Sequence, residues 1–156
     1  MTTEERLAKV ERELADLRAE LAGGLTTCSL SIVDEQGKVC AGLAVEKVGP
    51  VLSLRDENGK PRARLAVDED GPRLSLFDAA GKTRAMLNVN AVGPGLALLD
   101  ENGKIRAALG VDEDGPGLDL ADENGKTRVM LGADAHGPWL DLADESFKTR
   151  AMLGVM

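Results

Sequence analysis

Between residues 49 and 70 the chain reads GPVLSLRDENGKPRARLAVDED, with apolar and polar positions alternating on either side of a polar centre. Leu52 and Leu54 alternate with Ser53 and Arg55, and Ala63, Leu65 and Val67 repeat the alternation further on. A period of two marks a strand with one apolar face. The centre, Asp56-Glu57-Asn58-Gly59-Lys60, is turn chemistry in which Gly59 is free to take a positive φ. Asp68-Glu69-Asp70-Gly71 makes a return turn, and Pro72 is expected at the first position of the next strand, where a missing N–H is tolerated. The segment predicts an antiparallel hairpin that turns back into another.

The pattern runs six times, in units 27–48, 49–70, 71–92, 93–114, 115–136 and 137–156, the last two residues short. Fixed self-similarity of this kind means a repeat architecture. No segment is long enough for a crossover helix, so neighbouring strands are antiparallel and the six copies predict a twelve-stranded meander. Stacking the copies aligns Leu30, Leu52, Leu74, Leu96, Leu118 and Leu140 in one column, and Ile32, Leu54, Leu76, Leu98, Leu120 and Leu142 in the next. The second strands add Leu43, Leu65, Leu87, Leu109, Leu131 and Leu153, then Val45, Val67, Val89, Val111, Ala133 and Val155. One face of the sheet is thus almost purely aliphatic. The other carries Met86, Ala108, Met130 and Met152, and the glycines Gly110, Gly132 and Gly154.

Ahead of the repeats the period changes. Leu7, Val10, Leu14, Leu17 and Leu21 are spaced 3, 4, 3 and 4, which predicts a helix over residues 1–22 with an a/d seam. Thr2 or Thr3 can cap it, and Glu4 and Glu5 suit its first turn. With Leu7 at a, Arg6 at g faces Glu11 at e of a parallel partner, and Glu13 faces Arg18; both pairs attract. Gly23 and Gly24 end the helix, and residues 23–26 form a glycine linker.

A coil this short is marginal alone, and so is a hairpin, so the aliphatic face must be covered for the chain to be stable. Closure into a barrel would cover it; so would packing sheets of several chains about an axis. The parallel coil favours the second. Three sheets can shield one another's edges better than two, which predicts a homotrimeric β-prism with the leucine columns inside.

Composition narrows the function. Aromatics make up only 2% of the 156 residues (Phe77, Phe147 and Trp139, with no Tyr), little for an enclosed ligand pocket. The net charge is −8 with no basic stripe, which argues against nucleic acid as a partner. No apolar run approaches membrane-spanning length, and MTTEERLAKVERE lacks the apolar core of a signal peptide. A cytoplasmic or virion- or fibre-associated location is the expectation.

Residues with potential chemistry have simpler structural roles. Asp34, Asp56, Asp78, Asp100, Asp122 and Asp144 open the hairpin turns; they read as turn formers, not as calcium ligands, and no metal or cofactor is expected. Lys38, Lys60, Lys82, Lys104, Lys126 and Lys148 run beside Arg62, Arg84, Arg106, Arg128 and Arg150, placed to neutralise the acidic turns of neighbouring strands. Parity puts Cys28 on the leucine face and Cys40 on the other, which predicts that the two are not bonded to each other. His136 stands alone, without a nucleophile, and no catalytic motif appears. In the last copy Ser146-Phe147 replaces Asn-Gly, and Trp139 follows Gly-Pro; with Met156 these make the C-terminal end a cap or a docking site for a protein partner.

A short parallel coil through Leu7 to Leu21, followed by Gly/Pro-punctuated LxLxDENGKxRAxLxV units, resembles the trimeric β-repeat fibre shafts of phage tail fibres and viral spikes. The resemblance implies a non-enzymatic homotrimeric stalk that spaces or anchors something. Two other functions are carried alongside it: a carbohydrate- or polyanion-binding module using the Lys/Arg ladder or the Trp139 end, and a cytoskeleton-like filament subunit associating laterally through the apolar outer face.

Overall fold

The computed structural model describes residues 2–22, 29–146 and 148–154. It is mainly β. One helix, α1 (Thr3–Ala22), precedes twelve strands: β1 (Ser29–Val33), β2 (Val39–Glu46), β3 (Gly49–Arg55), β4 (Pro61–Asp68), β5 (Gly71–Phe77), β6 (Thr83–Val89), β7 (Pro94–Leu99), β8 (Ile105–Asp112), β9 (Gly115–Ala121), β10 (Thr127–Asp134), β11 (Gly137–Ala143) and β12 (Thr149–Gly154). They form one antiparallel sheet in strict chain order. It stays open: β1 and β12 are edges and do not pair with each other.

Both turns follow from the sequence. In the hairpin turn the Asp56 N–H donates to the Lys60 carbonyl at 2.9 Å and the Gly59 N–H to the Asp56 carbonyl at 2.8 Å, closing a three-residue loop with Gly59 at φ 75°. The Asp56 side chain fixes the loop by accepting from the N–H groups of Asn58 and Lys60. The return turn is tighter, with Asp68 paired directly to Gly71. Gly71 has φ 113°, and a Cβ there would overlap the carbonyl oxygen of Val89 at the end of the next strand, β6. That close approach, together with the positive φ, explains why the position is glycine. Because this glycine still pairs, the following proline is the second residue of β3, β5, β9 and β11, one step further in than the sequence pattern suggested.

The ladder carries one feature that simple alternation misses. Leu52 pairs with Leu65 and Leu54 with Ala63, but Arg55 pairs with Pro61, leaving Arg62 as an extra residue. The same shift recurs in every hairpin, so Cys40, Arg62, Arg84, Arg106, Arg128 and Arg150 all sit at β-bulges. Placing Cys40 by counting alternate residues from Leu43 is therefore not valid, since the bulge lies between. Cys40 is a free thiol, and Cys28 lies outside the described residues.

The register joins the first and second strands of every copy into one row. Leu30, Leu43, Leu52, Leu65, Leu74, Leu87, Leu96, Leu109, Leu118, Leu131, Leu140 and Leu153 are consecutive cross-strand partners, one leucine from each strand. The neighbouring row alternates large and small, from Ile32, Ala41, Leu54 and Ala63 to Leu142 and Ala151.

Candidate functional site

Among the described residues nothing covers the leucine face. Leu52, Leu54, Leu65, Val67, Leu76, Leu87, Leu98, Leu109, Leu120, Leu131 and Leu142 are all exposed, and the best shielded of the exposed leucines, Leu74, still shows 36% of its surface. Leu118 and Leu140 are half-buried. The most buried side chains are on the opposite face: Val51 at 4%, Ala66 at 7% and Ala97 at 9%. Ala66 lies between Val51 and Arg73 in one row, and Ala97 lies beside Met86. A single layer shields small side chains by their neighbours alone, whereas a leucine needs a second layer.

The heptad seam is equally bare. Leu7, Val10, Leu14 and Leu17 are all exposed, Leu14 at 46%, and α1 makes no contact with any strand. The Leu21 side chain lies outside the described residues. Helix formation itself is well supported. The Glu5 N–H donates to Thr2 Oγ1 at 3.2 Å and the Thr2 N–H to Glu5 Oε2 at 2.7 Å, a reciprocal capping box. Lys9 and Glu13 pair at 3.7 Å one turn apart. The lone chain exposes 11636 Å² in all, against about 7,500 Å² for a compact monomer of this mass.

The charged columns work within the sheet. Each bulge arginine meets the aspartate that opens its own hairpin: Arg62–Asp56 and Arg84–Asp78 at 3.5 Å, Arg106–Asp100 at 3.6 Å, Arg150–Asp144 at 2.5 Å, and Arg128–Asp122. The same arginines reach the next hairpin, where Arg62 Nε donates to the Phe77 carbonyl at 3.0 Å and Arg106 Nε to that of Ala121 at 3.0 Å. The lysines do likewise, Lys60 Nζ donating to the Ala79 carbonyl at 3.0 Å and Lys82 Nζ to that of Glu101 at 2.6 Å. The ladder therefore engages acidic turns through arginine but backbone carbonyls through lysine, and Lys60, Lys82, Lys104 and Lys126 all have carbonyl partners inside the sheet.

Asp56, Asp78, Asp100, Asp122 and Asp144 have carboxyls held below their ordinary range. For Asp78, Asp100 and Asp144 the main cause is the N–H of the turn lysine (Lys82, Lys104 and Lys148), which holds the carboxyl below its ordinary range; partial desolvation opposes it, and the bulge arginine assists. At Asp56 and Asp122 desolvation is the largest single influence and pulls upward, yet the donated hydrogen bonds together outweigh it. Among the described residues no cluster of His, Cys, Asp or Glu has the arrangement of a metal site.

At the C-terminal end Trp139 pairs with Gly132 on one side and Gly154 on the other. Its indole covers Gly132 so closely that a Cβ there would lie 2.5 Å from the ring. A groove of about 900 Å³ runs past Trp139 over Gly117, Gly110 and Gly95, with Asp119 and Met86 along it. His136 is exposed in the return turn, its N–H donating to Asp134 Oδ1 at 2.7 Å. Phe147 and Met156, expected to share this end, lie outside the described residues.

No family model matches the chain, and no curated protein matches it. Among solved structures, a TarM mutant of S. aureus in complex with fondaparinux, α-GlcNAc-glycerol and UDP aligns at TM-score 0.41 and 11% identity, over 75% of this chain and 22% of that one. A GtfA/B complex bound to UDP and GlcNAc aligns at TM-score 0.31 and 14% identity, over 67% and 22%. The chain thus spans about a fifth of the length of each, and at these scores neither informs its function.

Proposed function

We propose that the chain is a non-enzymatic structural protein that self-associates as a parallel homotrimer, a rod- or stalk-like β-prism with the leucine columns turned inward and the α1 seams wound together. The observation that carries this reading is the row of twelve partnered leucines, one per strand, ten of them exposed and Leu118 and Leu140 half-buried. Exposed apolar area on this scale, rimmed by polar turns, marks an association surface. The free seam of α1 supports it, because a helix that ignores its own sheet has its apolar stripe available for other copies. Attraction between Arg6 and Glu11, and between Glu13 and Arg18, favours parallel alignment.

Light scattering on the full chain at micromolar concentration tests it. The expected mass is three times the 16.4 kDa of the chain. A monomeric mass overturns the reading. Leu76→Asp, which sets a carboxylate on the leucine face, is expected to dissociate or unfold the assembly at a cost above about 3 kcal/mol per chain.

A further inference from the structure

The open sheet ends in two edges that the repeat makes complementary. β1 is SLSIV, without a proline or a charge, the usual means by which an edge is blunted. All residues of β1 and β12 are exposed. Counted in repeats, β12 occupies the place of β4, which pairs on its far side with β5, and β1 occupies the place of β5. Setting a second copy's β1 against β12 in that register puts Leu30 opposite Leu153, as Leu74 is opposite Leu65, and Ser31 opposite Met152, as Ser75 is opposite Arg64. The leucine row then runs on unbroken.

The side chains that cross from hairpin to hairpin point the same way. Arg62, Arg84 and Arg106 each donate through Nε to a carbonyl fifteen residues ahead. Lys60, Lys82, Lys104 and Lys126 each donate through Nζ to a carbonyl nineteen residues ahead. Arg128 reaches the Asp144 carbonyl through Nη1 instead, and Arg150 and Lys148 come last in the two series, with no described strand beyond β12 to receive them. Arg150 keeps its bond to Asp144, yet its side chain is 63% exposed, against 43% for Arg84, the most exposed of the arginines that do reach the following strand. A second copy's β1 would bring the carbonyls of its Val33 and Glu35 to these two donors. β1 begins at Ser29, paired with Ala44 at the return-turn margin.

We propose that β12 of one copy pairs antiparallel with β1 of a second copy in this register, so that the sheet continues from chain to chain. The contact is heterologous and leaves a fresh edge at each end, so it propagates lengthwise. It does not depend on how many chains share the leucine face.

Cross-linking of the full chain tests it. In a background of Cys28→Ser and Cys40→Ala, one preparation carries Met152→Cys and a second carries Ser31→Cys. The two are mixed and oxidised, and linked peptides are quantified by mass spectrometry. The peptide joining positions 152 and 31 is expected to exceed by at least about tenfold the one obtained when Ile32→Cys replaces Ser31→Cys, because residue 32 faces the other side of the sheet. Separately, light scattering of the unmodified chain is expected to show particles growing with concentration, and Lys148→Glu with Arg150→Glu to suppress the growth without changing the circular dichroism. Equal yields from positions 31 and 32 overturn the proposal, as does a mass that never grows. The smallest particle reports the stoichiometry separately: a monomer that still links 152 to 31 overturns the trimer alone, and a trimer that neither grows nor links overturns the edge pairing alone.

Discussion

The guanidinium of Arg84 stands between two hairpins: its Nε donates to the Leu99 carbonyl of the next hairpin at 2.9 Å, and its Nη1 lies 3.5 Å from the Asp78 carboxylate of its own. Replacing it separates this staple from the strand ladder. Arg84→Met is expected to cost about 1 kcal/mol, below the usual range for a charge-assisted bond, because the exposed side chain is screened by water. Arg84→Lys recovers little of this, since an ammonium cannot reproduce the fork that reaches carbonyl and carboxylate together. Urea unfolding midpoints of the two variants check both expectations.

Acid should loosen the sheet. Asp56, Asp78, Asp100, Asp122 and Asp144 all have carboxyls held below the ordinary aspartate range in the folded chain. A depressed folded value means stability that is fully present above the unfolded value and lost as pH falls through the folded one. The melting temperature is therefore expected to be insensitive to these groups above about pH 5 and to fall as pH drops below about 4. Asn at all five positions can still accept from the turn N–H groups, so the quintuple variant should fold and show a flatter profile below that range. Thermal melts across a pH series decide it; an unchanged slope would show that these turns do not control acid stability.

Two glycines with positive φ should respond differently to the same substitution. Gly81 has φ 83° and nothing within 4 Å of a Cβ placed there, so Gly81→Ala is expected to cost only the backbone strain of about 1 kcal/mol. Gly71→Ala adds a collision with the Val89 carbonyl and should cost more than about 3 kcal/mol. Comparable melting temperatures for the two variants would refute the close-approach explanation.

The hairpin is the unit of length. Deleting residues 71–92 removes β5 and β6 and rejoins Asp70 to Gly93 with strand direction, bulge and leucine row all in phase. The product is expected to fold and to be shorter by about 10 Å, two strand spacings. Deleting residues 71–81 removes β5 alone, so the next strand would run the wrong way, and that chain should aggregate or unfold. Small-angle scattering separates the outcomes; equal solubility and equal shortening would count against a meander of hairpins.

Most of the architecture could be read from the chain because both turn types and the leucine positions recur every 22 residues, and each fixes the same register. The bulge was legible too, by arithmetic that alternation alone does not perform. A three-residue turn pairing Asp56 with Lys60 cannot coexist with a ladder pairing Leu52 with Leu65 unless the second strand carries one extra residue. Arg62 is that residue, and its place on the bulge lets it address its own turn and the next hairpin at once. The shielding of Val51, Ala66 and Ala97 could not be read from the pattern, because it depends on which neighbours flank a small side chain across three strands. The Lys contacts were missed for a related reason: charge pattern suggests carboxylate partners, while reach across a hairpin delivers each ammonium to a carbonyl.

Every strand pairs only with its neighbours in sequence, which sets the order of events when the chain folds. No distant segments must find one another, so each hairpin can zip as soon as its turn forms, and the sheet can lengthen copy by copy from any starting point. Contact order this low makes the first stage fast. The leucine row gains nothing from that stage beyond the contacts along it, and in the proposed assembly its cover comes from another copy. On that proposal the slow, dilution-sensitive step is the encounter of chains whose strands are already paired. Refolding should accordingly show a rapid unimolecular gain of β signal, followed by a phase whose rate scales with protein concentration.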